Sequence, residues 1–145
     1  MNQPTRQRAY NLGLTQGRAY RTLSSHLTKA LYPFDISIPE WKLLGQLYDY
    51  GDMKLAKLAE LLSVEAPLVT ALVDKLEKKK LVARTNDTKD RRAKVITATK
   101  KGSTLIEEIE PGVRNAMRML LKGITPEELK TYLKVLHAID TNGNE

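Results

Sequence analysis

The sequence contains no cysteine and only two histidines, His26 and His137. The first absence excludes disulfides, thiolate zinc sites, iron–sulfur clusters and cysteine redox chemistry. With two histidines 111 positions apart, a metal centre is not expected. Aromatic residues are scarce, at 6% of the chain. No apolar run is long enough to span a bilayer, and Arg6, Arg8, Arg18, Arg21 and Lys29 interrupt the stretch that a signal peptide would occupy. A chain with no membrane contact is expected, and the missing cysteines suit a reducing cytoplasm. No nucleophile–base pair, paired catalytic carboxylates or phosphate-cradling glycine loop is present. The sequence therefore points away from an enzyme, and no cofactor is expected. What remains is 145 residues, 41% of them hydrophobic. That is one domain's worth of chain, enough to bury roughly two thirds of the surface its unfolded form exposes.

Charge is focused. The net charge is +7, yet residues 75–101 alone carry eleven lysines and arginines against three acidic residues, leaving the rest of the chain near neutral. A basic segment on a near-neutral body suggests an anionic partner, nucleic acid first, although a solvated charged helix end would read the same way.

Helical periodicity dominates the chain. Leu12, Ala19, Leu23, Leu27, Ala30 and Leu31 predict a helix from about Thr5 to Leu31, ended by Pro33. Ser37-Ile38-Pro39-Glu40 has capping-box spacing and starts a helix with Trp41, Leu44, Leu47 and Tyr48 on one face. Asp52 is the expected N-cap of a short third helix, about Lys54–Leu62. After a tight connection, Pro67 opens a fourth helix, about Ala66–Lys79, with Val69, Leu72, Val73 and Leu76 inward. The period then changes. Leu81–Arg84 and Lys94–Thr97 read as two strands, joined by a nine-residue polar tip from Thr85 to Ala93. Thr99 caps a long helix that Pro111-Gly112 should kink or interrupt. Thr125-Pro126-Glu127-Glu128 starts a last helix running to about Asp140, followed by a frayed tail.

Two short helices, a tight turn and a charged hairpin form the order of a winged helix-turn-helix. Its second helix would enter a major groove, presenting Ala66, Pro67, Thr70, Ala71, Asp74, Lys75 and Lys78. The wing tip, with Lys89, Asp90, Arg91 and Arg92, would reach a minor groove, and Asp90 would fix the Arg92 guanidinium in a reaching rotamer. Asp74 would pair with a lysine one turn on, or accept from a cytosine amino group. The same pattern also describes a helical bundle with an exposed basic loop.

At these residues the chain resembles the MarR family of bacterial transcriptional regulators. The matching stretch is LAKLAELLSVEAPLVTALVDKLEKKKLVARTNDTKDRRAKVITATKKG, residues 55–102, with its D-x-R wing motif at Asp90 and Arg92; ISIPEWKLL, residues 36–44, is similar to the preceding family helix. The resemblance implies a mainly α fold with a small β-hairpin wing, in which a winged helix-turn-helix lobe (residues 35–100) sits on dimerisation helices (1–34 and 101–145). It implies a homodimer on a palindromic double-stranded operator, located with the bacterial nucleoid, and acting as a repressor released by a small aromatic or phenolic ligand. Thr70, Asp74, Lys75, Arg84, Asp90, Arg91 and Arg92 match family positions in or near the DNA surface. Three departures stand out. Lys80 replaces a usual glycine where the backbone favours a left-handed turn, at a cost of roughly 1 kcal/mol. Ala71 replaces a polar or arginine residue, and Ser and Thr are missing around Ala66–Leu68.

Five of the eight aromatics fall within residues 32–50. By the resemblance, Trp41, Tyr20, Tyr32, Arg21 and His26 would line an effector cleft; as ordinary side chains, the aromatics would belong to the core. Two alternatives stay open: a winged-helix protein that binds another protein, as an anti-repressor does, and a DNA-binding regulator with no ligand.

Overall fold

The computed structural model describes residues 8–90 and 92–145. Helix α1 (Ala9–Leu31) meets the core through its C-terminal part, where Leu27 and Leu31 are buried and Leu23 packs alongside. The N-terminal part of the expected first helix, from Thr5, lies outside the described residues. Pro33 falls in a 3-10 turn, Tyr32–Phe34, that closes on Asp35 at φ 54°. The chain then re-enters helix at α2 (Ile38–Tyr50) through the expected capping box. Glu40 N–H donates to Ser37 Oγ and Ser37 N–H donates to Glu40 Oε1, both at 3.2 Å.

The third helix does not start as the sequence suggested. Asp52 is not its cap: Met53–Lys54 form a short strand, β1, and α3 (Leu55–Leu62) is entered through Lys54 with no side-chain cap bond. Strand β1 pairs antiparallel with β3 (Lys94–Ala98), Met53 opposite Ile96, and β3 pairs with β2 (Val82–Asn86) in the order β1-β3-β2. Two residues are too few to show a period of two, and their partner lies some forty positions away, so no local signal announces β1. The ladder also runs further than expected, to Asn86 opposite Lys94, which shortens the hairpin tip to residues 87–93.

Helix α4 (Ala66–Lys78) ends in a Schellman turn. Leu81 N–H reaches Leu76 C=O and Lys80 N–H reaches Glu77 C=O, each at 2.9 Å, with Leu76 and Leu81 both buried. Lys80 therefore takes φ +63°, the left-handed conformation its position implied. Lys80→Gly should raise stability by about 0.5–1 kcal/mol, the relief of the side chain's steric cost less glycine's larger unfolded-state entropy. A rise in the urea midpoint at constant slope checks it.

Helix α5 (Lys100–Leu120) passes through Pro111-Gly112 without the interruption expected there. Proline costs a helix about 3 kcal/mol, but Ile106, Ile109 and Val113 are buried on either side of it and hold both halves of α5 to the core. Helix α6 (Pro126–Gly143) has its own capping box at Thr125 and Glu128 and runs past Asp140, where Asn144 Nδ2 donates to the Asp140 carbonyl at 2.8 Å. The core gathers the end of α1, α2, Leu58 of α3, α4, the sheet and α5 as far as Val113. No residue of α6 is buried. Among the described residues no helix is long and apolar enough to cross a membrane.

Candidate nucleic-acid interface

Helices α3 and α4 are joined through Ser63 at φ 53°, with Ser63 N–H on Glu60 C=O at 3.2 Å and Val64 N–H on Ala59 C=O at 3.1 Å. This turn stops α3 and re-aims the chain within three residues. Val69, Val73 and Leu76 then anchor α4 with no exposed surface. The opposite face presents Ala66, Pro67, Thr70, Ala71, Asp74, Lys75 and Lys78 to solvent, as the helical period predicted.

Asp74 is held from an unexpected direction. Its carboxylate accepts from the Arg84 guanidinium of β2, not from a lysine one turn on, and Arg84 also lies 3.7 Å from Glu77 and 3.5 Å from the Thr70 carbonyl. Arg84 thus ties the base of the hairpin to the middle of α4. The other side of the hairpin is fastened by Lys54, whose Nζ lies 3.1 Å from Asp87 Oδ2. That hydrogen bond, with help from the Lys89 amide, holds the Asp87 carboxyl below the usual carboxylate range.

The tip is a compact turn. Asp87 N–H bonds to Ala93 C=O and Ala93 N–H to Asp90 C=O, both at 3.0 Å. Asp90 Oδ1 accepts the Arg92 backbone N–H at 3.0 Å. The D-x-R pair therefore works through the backbone, with the carboxylate fixing the turn that projects Arg92, and not through the guanidinium as expected. Among the described residues Lys75, Lys78, Lys89 and Arg92 make no ion pair and are exposed, whereas Lys54, Lys79 and Arg84 are used to hold the fold together. Arg91, also expected here, lies outside the described residues.

A further ion pair sets where α4 ends relative to α2. Lys79 Nζ lies 3.0 Å from Glu40 Oε2, and it also donates to the Asp35 carbonyl. Glu40 is almost fully buried. Burial pushes its carboxyl up, but the Lys79 hydrogen bond, the Ser37 hydroxyl and amide and the Lys79 charge together bring it below its ordinary value. The lowered value means the contact stabilises the fold fully at neutral pH and loses that contribution as pH falls through the folded-state value. Glu40→Gln should cost about 1–2 kcal/mol at pH 7. The difference from the unaltered chain should shrink below about pH 4, measured by urea denaturation at each pH. A difference that grows on acidification would contradict the sign.

The residues assigned to an effector do not meet in the protomer. Trp41 lines a cleft of about 800 Å³ between α2, α3 and α5, together with Tyr48, Glu107 and Arg114. Tyr48 donates to Glu107 Oε1 at 2.9 Å, and that hydrogen bond raises the phenol above its ordinary range. Arg21 and His26 line a shallow depression on α1, Tyr20 faces a groove between α1 and α6, and Tyr32 is 83% exposed. Their nearness in sequence is lost because the helices that carry them point them to different sides. Sequence reasoning also missed Lys54, Lys79 and Glu40. Lys79 is one of many lysines in the basic segment, Lys54 lies at a helix start with no local signal, and the local pattern marks Glu40 only as a cap.

The geometry is that of a winged helix-turn-helix. Residues 36–94 match the model of the MarR family. Over that stretch the chain resembles the MarR family. The HTH-type transcriptional regulator MhqR of Bacillus subtilis (strain 168) is 26% identical over 139 residues, which is 96% of each chain. Among solved structures, the Bordetella bronchiseptica regulator BpsR, described with regulation of its DNA binding by 6-hydroxynicotinic acid, superposes with a TM-score of 0.82 at 21% identity over 97% of both chains. A mutant MarR from E. coli complexed with operator DNA gives 0.82 at 24% identity, over 89% of this chain and 93% of that one. The MarR-family match spans α2 to the start of β3. It therefore covers the helix pair and most of the wing, while the two solved structures extend the likeness in fold to the helices on either side.

Proposed function

We propose that this chain is a transcriptional regulator of the MarR type, not an enzyme, that binds double-stranded DNA as a homodimer. The observation that carries the reading is the surface shared by α4 and the wing. It presents Lys75, Lys78, Lys89 and Arg92 free of ion pairs among the described residues, on supports fixed by Arg84 and Lys54. Helix α4 suits a major groove and the wing an adjacent minor groove. Residues 35–100 would form the reading lobe, and 1–34 with 101–145 the dimerisation scaffold. Support for the dimer comes from α6, which exposes Tyr132, Leu133, Val135 and Ile139, and from α1, which exposes Tyr10, Leu12, Leu14 and Tyr20. A stripe of that extent on two helices calls for a partner. Two-fold pairing would place two α4 helices in successive major grooves.

The outcome is repression relieved by a small aromatic ligand. The cleft beside Trp41 supports this, since it brings together an indole and a phenol against which an aromatic ring can pack; Arg114 is paired there with Glu110 at 3.0 Å, so an anionic group would have to compete with that carboxylate. A compound of that kind, 6-hydroxynicotinic acid, regulates DNA binding by BpsR. Selection of bound fragments from source-genome DNA tests the function. The expected result is a small set of enriched fragments sharing an inverted repeat. Recovery no different from random fragments would refute sequence-specific binding.

A further inference from the structure

The reading face of α4 lacks hydrogen-bond donors where base edges would lie. From Ala66 to Asp74 the side chains are Ala, Pro, Leu, Val, Thr, Ala, Leu, Val and Asp. Thr70 carries the only donor in that run, and its hydroxyl donates to the Ala66 carbonyl at 3.0 Å. Asp74 is an acceptor only, and Arg84 occupies it. Pro67 and Ala71 stand at the centre of the exposed face, and Leu68, 59% exposed in the first turn, extends the apolar surface along one flank. The first side chain able to offer a free donor is Lys75, in the third turn.

In the major groove, guanine presents two acceptors and adenine an acceptor beside its amino donor. Reading either base well takes donors from the protein. Thymine alone presents an apolar feature, its C5-methyl group. A surface of Pro67, Leu68 and Ala71 gains by covering a methyl and leaves base acceptors unanswered. We infer that this regulator reads its half-site through thymine methyl groups packed against Pro67, Leu68 and Ala71, with Lys75, Lys78 and the wing supplying affinity through the phosphates. The operator class that follows is an inverted repeat with thymines, on either strand, at the positions facing the first two turns of α4. This inference rests on the DNA-binding reading above and names what that surface recognises.

The test uses the full-length protein and an operator recovered by genomic selection. Each thymine in the protected half-site is replaced in turn by deoxyuridine, which removes the methyl and leaves every hydrogen bond intact. In parallel, each guanine is replaced by 7-deazaguanine, which removes the N7 acceptor. Burial of one methyl corresponds to about fourfold in affinity, hence about fifteenfold when both half-sites are changed. One or two thymines per half-site should show that loss, while 7-deazaguanine should change binding by less than about twofold. The variant Ala71→Asn, at an exposed position, adds a donor and an acceptor and should reduce the uridine penalty at the thymine it faces. Uridine operators that bind as tightly as thymine operators, with losses appearing at 7-deazaguanine, would overturn the inference while leaving DNA binding intact. A chain that enriches no fragment at all would overturn both.

Discussion

Gly102→Ala is expected to lower the stability of the fold by about 3–4 kcal/mol, out of a total that for domains of this size is about 5–15 kcal/mol. A Cβ at residue 102 would lie 2.2 Å from the Leu81 carbonyl oxygen and 3.1 Å from Leu44 Cδ1. The nearer atom is backbone and cannot swing away. Leu81 C=O also accepts the Thr99 N–H at 3.0 Å, while its own N–H closes the Schellman turn on Leu76. Relief would have to come from lifting α5 off Leu81 and α2, which breaks the Thr99 bond and opens the core around Leu44. Gly112→Ala is the internal control. It lies in the same helix with nothing within 4 Å of the added methyl. It should leave the fold unchanged or up to about 1 kcal/mol more stable. Urea denaturation of the two variants side by side checks both; a cost below about 1 kcal/mol at Gly102 would mean that α5 does not dock as described.

Arg92→Ala is expected to weaken binding to operator and non-operator duplexes alike, by roughly ten- to a hundredfold for the dimer. Stability should stay within about 0.5 kcal/mol of the unaltered chain, because Arg92 is exposed. Among the described residues its guanidinium forms no ion pair, so it is free to meet DNA. Each lost phosphate or groove contact should flatten the dependence of log K on log salt by roughly 0.9, doubled in a symmetric dimer. Asp90→Ala should reproduce part of the loss by a different route. It removes the acceptor for the Arg92 amide and loosens the turn that aims the wing. Its salt slope should therefore change less than that of Arg92→Ala. Fluorescence anisotropy across a salt series separates the two variants, and equal binding by Arg92→Ala and the unaltered chain would remove the wing from the interface.

The features legible in the sequence were those in which a few neighbouring residues fix one geometry. Ser37 and Glu40 are three apart and cap α2 reciprocally. The spacing of Val69, Val73 and Leu76 defined the buried face of α4, and therefore the exposed one. Lys80 was legible because helices so often end on a left-handed residue. The misses share a different cause. Strand β1, the Arg84–Asp74 pair and the Lys79–Glu40 contact each join residues that only the folded chain brings together. At Pro111, packing on both sides overrode a sound local rule. The residues that the resemblance assigned to an effector line separate surfaces of one protomer, because α1 and α2 carry them to different sides. In the candidate interface, periodicity identifies the outward residues of α4. What their side chains are already bonded to, Thr70 to Ala66 and Asp74 to Arg84, is set by the folded arrangement.

A two-fold dimer would set α4 into successive major grooves and the wings into the flanking minor grooves. Hydroxyl-radical footprinting of a genomically selected operator measures this directly. Two symmetric protected zones are predicted, with centres about 10–10.5 base pairs apart or a multiple of that. Each should be flanked by minor-groove protection that disappears with Arg92→Ala. A single asymmetric protection, or flanks that persist without Arg92, would contradict the account.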